Sequence, residues 1–145
     1  MEMNNNSSTW GRFLFLSIVF SIFFVDGQSQ NLVNGKKIFE TRCLVCHQAD
    51  GGGVPNMNAP LDASTNVVGK DIARLVYIVK NGLNERVALD GMYYSNAMTA
   101  NPDFTDQQIA DVLSYVRTSW SNKASKVTLA QVQAANSKNK IKTKK

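Results

Sequence analysis

The chain has 145 residues, of which 43% are hydrophobic, enough for one modest domain with terminal extensions. Its formal net charge is +5, but five of the positive charges are lysines within the last eight residues, and residues 28–137 carry ten basic and nine acidic side chains. A nearly neutral body without a basic face interleaved with aromatic residues argues against nucleic-acid binding.

The first 27 residues are typical of a secretory signal peptide. Arg12 precedes a mainly apolar run from Phe13 to Val25, which is short for a membrane span of about 20 residues. Cleavage after Gly27 would release a domain that covers residues 28–136. An uncleaved segment would instead anchor the domain by its N-terminus. In both cases the domain is exported, and we expect it in the periplasm.

The first helix of the domain is predicted to begin at Asn31, which is a suitable N-cap residue. Gly35, Phe39 and Cys43 follow at intervals of four residues and therefore share one face. A glycine inside a helix costs about 1 kcal/mol relative to alanine. A close crossing with another helix would explain why it is there.

Cys43, Cys46 and His47 form a C-x-x-C-H motif at the end of this helix. The spacing predicts covalent haem attachment, with a thioether from each cysteine and the histidine as an iron ligand. A zinc site would need further soft ligands, and the chain has no other cysteine or histidine. A thioredoxin-type motif usually opens a helix rather than closing one, and a plain disulfide would leave His47 unexplained.

Glycines and prolines make residues 48–66 a loop. A second helix is predicted over residues 71–81, because apolar residues recur there at helical spacing and Gly82 follows as a stop signal. The Asp90-Gly91 pair predicts a tight reversal, such as a small hairpin, within residues 87–94.

Two further helices have clear start signals. Thr105 and Gln108 form a capping box for the third helix, and Thr128 and Gln131 form another for a short C-terminal helix that reaches residue 136. Residues 137–145 have no apolar pattern and are predicted to be a disordered, lysine-rich tail. This tail is either a solvated end or a weak contact for an acidic partner or anionic lipid.

The chain resembles the class I c-type cytochromes, in particular small bacterial mono-haem members and the cytochrome subunits or domains of periplasmic dehydrogenases and reductases. The matching residues run from the first helix to the last core helix: Gly35, Phe39, Cys43, Cys46, His47, Gly51 to Gly53, Pro55, Pro60, Leu61, Met98 and Tyr115-Val116-Arg117. The resemblance covers roughly residues 31–136, and the attachment motif is its most specific part.

The resemblance implies an all-α cytochrome c fold, with three core helices, a short C-terminal helix and long loops wrapped around one covalent haem c. It places the C-terminal core helix against Gly35, with Phe39 and Tyr115 at the contact. It also implies that a carbonyl of the proline-containing loop holds the His47 ring. Ala59 and Pro60 both match that position, and the choice between them stays open.

Met98 is the predicted sixth iron ligand, because similar cytochromes carry theirs in a Gly-Val-Met-Pro-like stretch that Asn96-Ala97-Met98-Thr99 matches. Met57 falls in the loop expected on the histidine side, and Met92 falls in the reversal. The proline that usually follows the ligand is absent, since residue 99 is threonine.

A haem iron held by His47 and Met98 has no open position and suits one-electron transfer rather than catalysis. We therefore expect an electron carrier, not an enzyme, that exchanges electrons with a dehydrogenase, reductase or oxidase. The alternative is a haem-based binder of small ligands, or a peroxidase with an open distal site. The absence of proline after Met98 favours this alternative, and the early position of the attachment motif disfavours it.

Overall fold

The computed structural model describes residues 27–84 and 88–142. The chain divides into two units, Met1–Gln30 and Asn31–Lys145, and the second contains the fold described below. The expected signal peptide lies almost wholly outside the described residues. Within the part of the chain that the structure describes, no helix has both the length and the apolar character needed to cross a membrane.

Six helices and one two-stranded hairpin make up the described structure, which confirms the predicted all-α class. The helices are α1 (Gly27–Arg42), α2 (Leu44–His47), α3 (Thr65–Val68), α4 (Ile72–Asn81), α5 (Asp106–Thr118) and α6 (Leu129–Lys142), and the strands are β1 (Ala88–Leu89) and β2 (Met92–Tyr93).

Helix α1 crosses α5 at the glycine that the sequence singled out. A β-carbon built on Gly35 would lie 2.1 Å from the backbone oxygen of Asp111 and 2.9 Å from the β-carbon of Tyr115, so only glycine permits this contact. The Phe39 ring packs against the Tyr115 ring at a tilt of 48°, with ring centroids 5.5 Å apart. The predicted crossing is confirmed. The predicted N-cap is wrong, because the helix begins at Gly27 and Asn31 lies inside it.

Helix α4 has the limits that the sequence predicted to within one residue. The Asp71 side chain caps it by accepting a hydrogen bond from the backbone N–H of Arg74, and Gly82 ends it in a left-handed conformation. Before it, α3 supplies one short turn that begins within the last two residues of the predicted loop.

The reversal after residue 87 is a hairpin in which Ala88 pairs with Tyr93 and Leu89 pairs with Met92. Asp90 and Gly91 both have positive φ, as a two-residue type I′ turn requires. The predicted hairpin is confirmed, although Val87 lies outside the described residues.

Both predicted capping boxes are present. The Thr105 hydroxyl accepts from the N–H of Gln108, and the Gln108 side chain accepts from the N–H of Thr105. Thr128 and Gln131 make the same reciprocal pair before α6. That helix continues to Lys142, so residues 137–142 are helical where the sequence predicted a disordered tail.

The core lies where α1, α4, α5 and α6 meet. Helix α6 packs against α4 and α5. Its apolar face thereby extends the apolar face of α5. The largest fully buried side chains are Phe39, Val76, Ile109 and Val132. These four residues come from four different helices, so no single helix forms the core alone.

Candidate functional site

All four predicted site residues line one cavity of about 480 Å³. Cys43, Cys46 and His47 lie in its wall beside the loop that follows them, and Met98 belongs to the wall formed by residues 94 and 96–101. A volume of this size lies within the range of small-molecule and cofactor pockets, about 300–1,000 Å³. The cavity therefore has the size and the ligand types of a haem site.

The C-x-x-C-H turn is a continuation of helix α1. The N–H of Cys43 donates to the carbonyl of Phe39 at 2.9 Å, and the N–H of His47 donates to the carbonyl of Cys43 at 3.0 Å. Helix α2 then ends at Gln48, whose positive φ turns the chain away. One helical turn thus places both sulfurs and the imidazole in the same cavity wall.

The Cys43 thiol does not fit the nucleophile of a dithiol redox site. Burial raises the pKa of the Cys43 thiol to about 11, although the neighbouring Arg42 guanidinium opposes this effect. A thiol with such a pKa stays protonated at neutral pH, whereas thioredoxin-type chemistry needs a thiolate.

The His47 ring is oriented by a backbone carbonyl. Its Nδ1 donates to the carbonyl of Ala59 at 3.0 Å, which selects Ala59 over Pro60. Burial lowers the pKa of His47 despite that hydrogen bond, so the ring is neutral, as a metal ligand must be. With Nδ1 occupied, Nε2 is the nitrogen that can bind iron.

Residues 48–63, the histidine-side loop, are tied to the end of helix α5. Trp120 donates from Nε1 to the carbonyl of Ala49 at 2.9 Å. The Asp62 carboxylate accepts from both the N–H and the hydroxyl of Ser121. These bonds fix the loop that carries the Ala59 carbonyl. Trp120 therefore supports this loop and packs on Phe39, and it does not line the cavity.

Residues 88–101, the methionine-side segment, contribute Leu89, Tyr94 and residues 96–101 to the cavity wall. Met98 pairs with Leu83 through two backbone hydrogen bonds of 2.9 and 3.0 Å. Of the three methionines that the structure describes, Met98 alone lines the cavity, whereas Met57 and Met92 are 47% and 50% exposed. The geometry thus brings together the four residues that the sequence selected.

The sequence reasoning gave no role to two buried polar residues near the site, although Arg117 is among the residues that carry the resemblance. Asn122 is 4% exposed and bonds to the carbonyls of Leu61 and Val116 and to the N–H of Ala63. Arg117 is 3% exposed and donates to three backbone carbonyls, those of Val67, Gly69 and Ser125. Arg117 follows the buried Leu113 by four residues, and this spacing could have signalled its burial. No local pattern marks Asn122.

No other metal centre is evident in the described ranges, which contain no group of three or more His, Cys, Asp or Glu side chains that could hold a metal ion. The zinc alternative thus gains no support there.

Comparison with known proteins gives one family and a consistent set of relatives. The sequence model of the family described as Cytochrome c matches residues 32–120. The cytochrome c subunit of a quinone alcohol dehydrogenase from Gluconacetobacter polyoxogenes is 38% identical over 109 residues, which cover 69% of this chain and 22% of that subunit. The chain therefore spans about a fifth of that subunit's length.

Two shorter proteins match over most of their own length. Cytochrome c-552 of Thermus thermophilus is 30% identical over 115 residues, which cover 77% of this chain and 86% of that protein. Cytochrome c-555 of Prosthecochloris aestuarii is 29% identical over 97 residues, which cover 63% of this chain and 90% of that protein.

Proposed function

This chain belongs to the cytochrome c family of electron carriers and carries covalently bound haem c, and from that premise we propose that it is a periplasmic one-electron carrier whose iron is ligated by His47 and Met98. We assign the two thioether bonds to Cys43 and Cys46. The observation that carries the proposal is the one cavity that these four residues line together, although Met98 lies about 50 residues further along the chain than the other three.

His47 and Met98 have complementary roles in this proposal. The Ala59 carbonyl holds the imidazole in the tautomer that leaves Nε2 for the metal. The Leu83 pairing holds the Met98 backbone in the cavity wall. When bound, the haem supplies one-electron chemistry, and a methionine sulfur favours the ferrous state and raises the potential.

The protein's own side chains support transfer rather than catalysis. No histidine other than His47 exists to act as an acid or base, and both iron positions have a proposed protein ligand. The alternative, a ligand-binding or peroxidase haem, needs a vacant distal side. Met98 lines the same cavity as His47, which supports the carrier over this alternative.

The proposed partner is a periplasmic dehydrogenase. This proposal rests on the relatives, of which one is named as a cytochrome c subunit of a quinone alcohol dehydrogenase. Export rests on the signal-like first 27 residues. Cell fractionation should place the haem-loaded protein in the periplasm with a mature N-terminus at Gln28. Recovery in the cytoplasm would contradict export, and retention of Met1 would contradict cleavage.

The ligand assignment is tested by comparing Met98→Ala with the matched variant Met92→Ala. Loss of the sulfur at residue 98 should abolish the weak red charge-transfer band of ferric methionine-ligated haem, lower the potential and admit cyanide or carbon monoxide. Met92→Ala should change none of these, because that side chain is half exposed in the hairpin and does not line the cavity. The reverse pattern would overturn the assignment.

The attachment residues are tested in the same preparations. Haem should stay with the polypeptide in acid acetone for the wild type and both methionine variants. Cys43→Ala combined with Cys46→Ala should release all of it. Haem that remains attached in the double variant would contradict the assignment of the thioether bonds.

A further inference from the structure

Residue 99 is threonine, so the segment after Met98 lacks the rigidity that a proline would give. The Met98 backbone is nevertheless fixed on one side by Leu83. A β-carbon on Gly82 would lie 2.5 Å from the Met98 carbonyl oxygen, so that pairing is close. The remaining freedom of the segment depends on what holds the residues that precede Met98.

Those preceding residues are bonded to the histidine-side loop. The N–H of Ser95 donates to the carbonyl of Asn56 at 2.9 Å, and the N–H of Asn96 donates to the carbonyl of Met57 at 2.9 Å. The Asn96 side chain adds a third bond, because its Nδ2 donates to Oδ1 of Asn58 at 3.0 Å.

The two asparagines stand close in sequence to the two iron-ligand sites. Asn58 immediately precedes Ala59, whose carbonyl accepts from Nδ1 of His47. Asn96 stands two residues before Met98. All of them line the same cavity. The Asn58–Asn96 bond therefore joins the loop that orients His47 to the segment that contains Met98, the two proposed iron ligands.

We propose that Asn58 and Asn96 form an amide clamp that sets the distance between the histidine-side loop and the methionine-side segment and so positions Met98 on the iron. Both are positioning residues, since neither is a ligand. The inference rests on the proposed His47–Met98 ligation. In this chain the clamp takes the place of a rigid residue after the methionine.

The test measures cyanide binding to the ferric, haem-loaded protein, because cyanide must displace the distal ligand. Asn96→Ala and Asn58→Ala should each raise cyanide affinity about fivefold, the ratio that corresponds to one net hydrogen bond. The backbone bond from Asn96 to Met57 is retained, so the change reports the side-chain pair. The charge-transfer band should weaken in both variants, and the haem should remain covalently attached.

Combined variants show whether the two residues act through their shared bond. The double alanine variant should resemble either single one, because both remove the same interaction. Asn58→Asp keeps an acceptor for Asn96 Nδ2 and should stay within about twofold of the wild type. Asn58→Asp combined with Asn96→Asp sets two carboxylates against each other and should exceed the effect of the alanine variants.

Asn84→Ala is the control, since that exposed residue lies outside this cavity. The clamp is refuted if the alanine variants match this control, or if their effects add fully. Met98→Ala in the same assay separates the two proposals. If it leaves cyanide affinity unchanged, the ligation proposal fails. If it raises the affinity while the asparagine variants do not, the clamp alone fails.

Discussion

The two walls of the cavity are held in different ways. The histidine-side loop is attached to the end of helix α5 through a buried side chain, Asn122, and through Asp62 and Trp120. The methionine-side segment is attached through its backbone to Leu83 and through Asn101 to the Val79 carbonyl. Two backbone N–H groups, of Ser95 and Asn96, and the exposed Asn96 side chain attach it to the other loop. Buried hydrogen bonds are costly to break because the groups left behind lack water, whereas exposed ones are replaced by water.

This difference predicts which side of the site opens first. The His47 side should stay intact until the helical core opens, because Asn122 is buried and Trp120 packs against the core. The Met98 side should open locally, in the manner of segments with few buried contacts and exposed hydrogen bonds. Ligand exchange at the iron is therefore expected on the methionine side.

The largest difference in stability between the two walls should appear when one asparagine of each is replaced, Asn122 on the histidine side and Asn101 on the methionine side. Asn122→Ala leaves two carbonyls and one N–H without their partner and should lower the free energy of unfolding by about 3 kcal/mol. Asn101→Ala on the methionine side loses one part-buried bond, from Nδ2 to the Val79 carbonyl, and two longer exposed bonds, to the Thr99 carbonyl and from Arg42. Because water can replace the exposed bonds, this variant should cost about 1 kcal/mol. Urea unfolding of the haem-loaded variants measures both values.

Equal losses of unfolding free energy in Asn122→Ala and Asn101→Ala would show that the two walls are held equally strongly. A larger loss for Asn101→Ala would reverse the expected difference. Retention of covalent haem in both variants is the check that the comparison concerns the fold and not the attachment.

A smaller effect is expected from the Asp62 anchor, and it depends on pH. The hydroxyl and N–H of Ser121 hold the pKa of Asp62 below its ordinary value. The carboxylate therefore adds stability above its ordinary pKa of about 3.9, and this contribution is lost as the pH falls through the depressed folded value. Asp62→Asn should flatten the acid limb of a plot of unfolding midpoint against pH.

Ser121→Ala removes one of the two donors to Asp62 and should flatten the same limb in part. The combined variant should do no more than Asp62→Asn alone, since both act on one interaction. An acid limb of unchanged steepness in Asp62→Asn would show that this anchor does not make the histidine side acid-sensitive.

The smallest effect concerns the lysines after residue 137 and should leave both walls unaltered. Truncation after Ser137 spares Val132 and Ala135, which are buried in the core. If the lysines attract an acidic partner or anionic lipid, the truncated protein should exchange electrons with the dehydrogenase, or bind anionic vesicles, more slowly at low ionic strength. The difference should vanish with salt, because charges are screened within about 10 Å at 0.1 M.

A variant with arginine at each of these lysine positions keeps the charge and should behave like the wild type. If the rates of electron exchange and vesicle binding are the same with and without these lysines across a salt series, the lysines have no docking role. The haem spectrum should not change in any of these variants.

Local interactions determined what could be predicted from the sequence alone. The capping boxes at Thr105 and Thr128, the Asp90-Gly91 turn and the C-x-x-C-H turn each involve residues within four positions of one another, so their geometry depends little on the rest of the chain. The start of α1 was misplaced, because an N-cap residue type indicates only where a helix can begin.

The tertiary structure decided whatever depends on pairing between distant residues. Ala59 was chosen over Pro60 by a bond that spans 12 positions, Asn122 reaches Leu61 across 61 positions, and Asn58 reaches Asn96 across 38. The sequence around an asparagine does not show whether its side chain lies in solvent or hydrogen-bonds between two backbone groups. Only the packing of the helices brings its partners within hydrogen-bonding distance and removes the competing water.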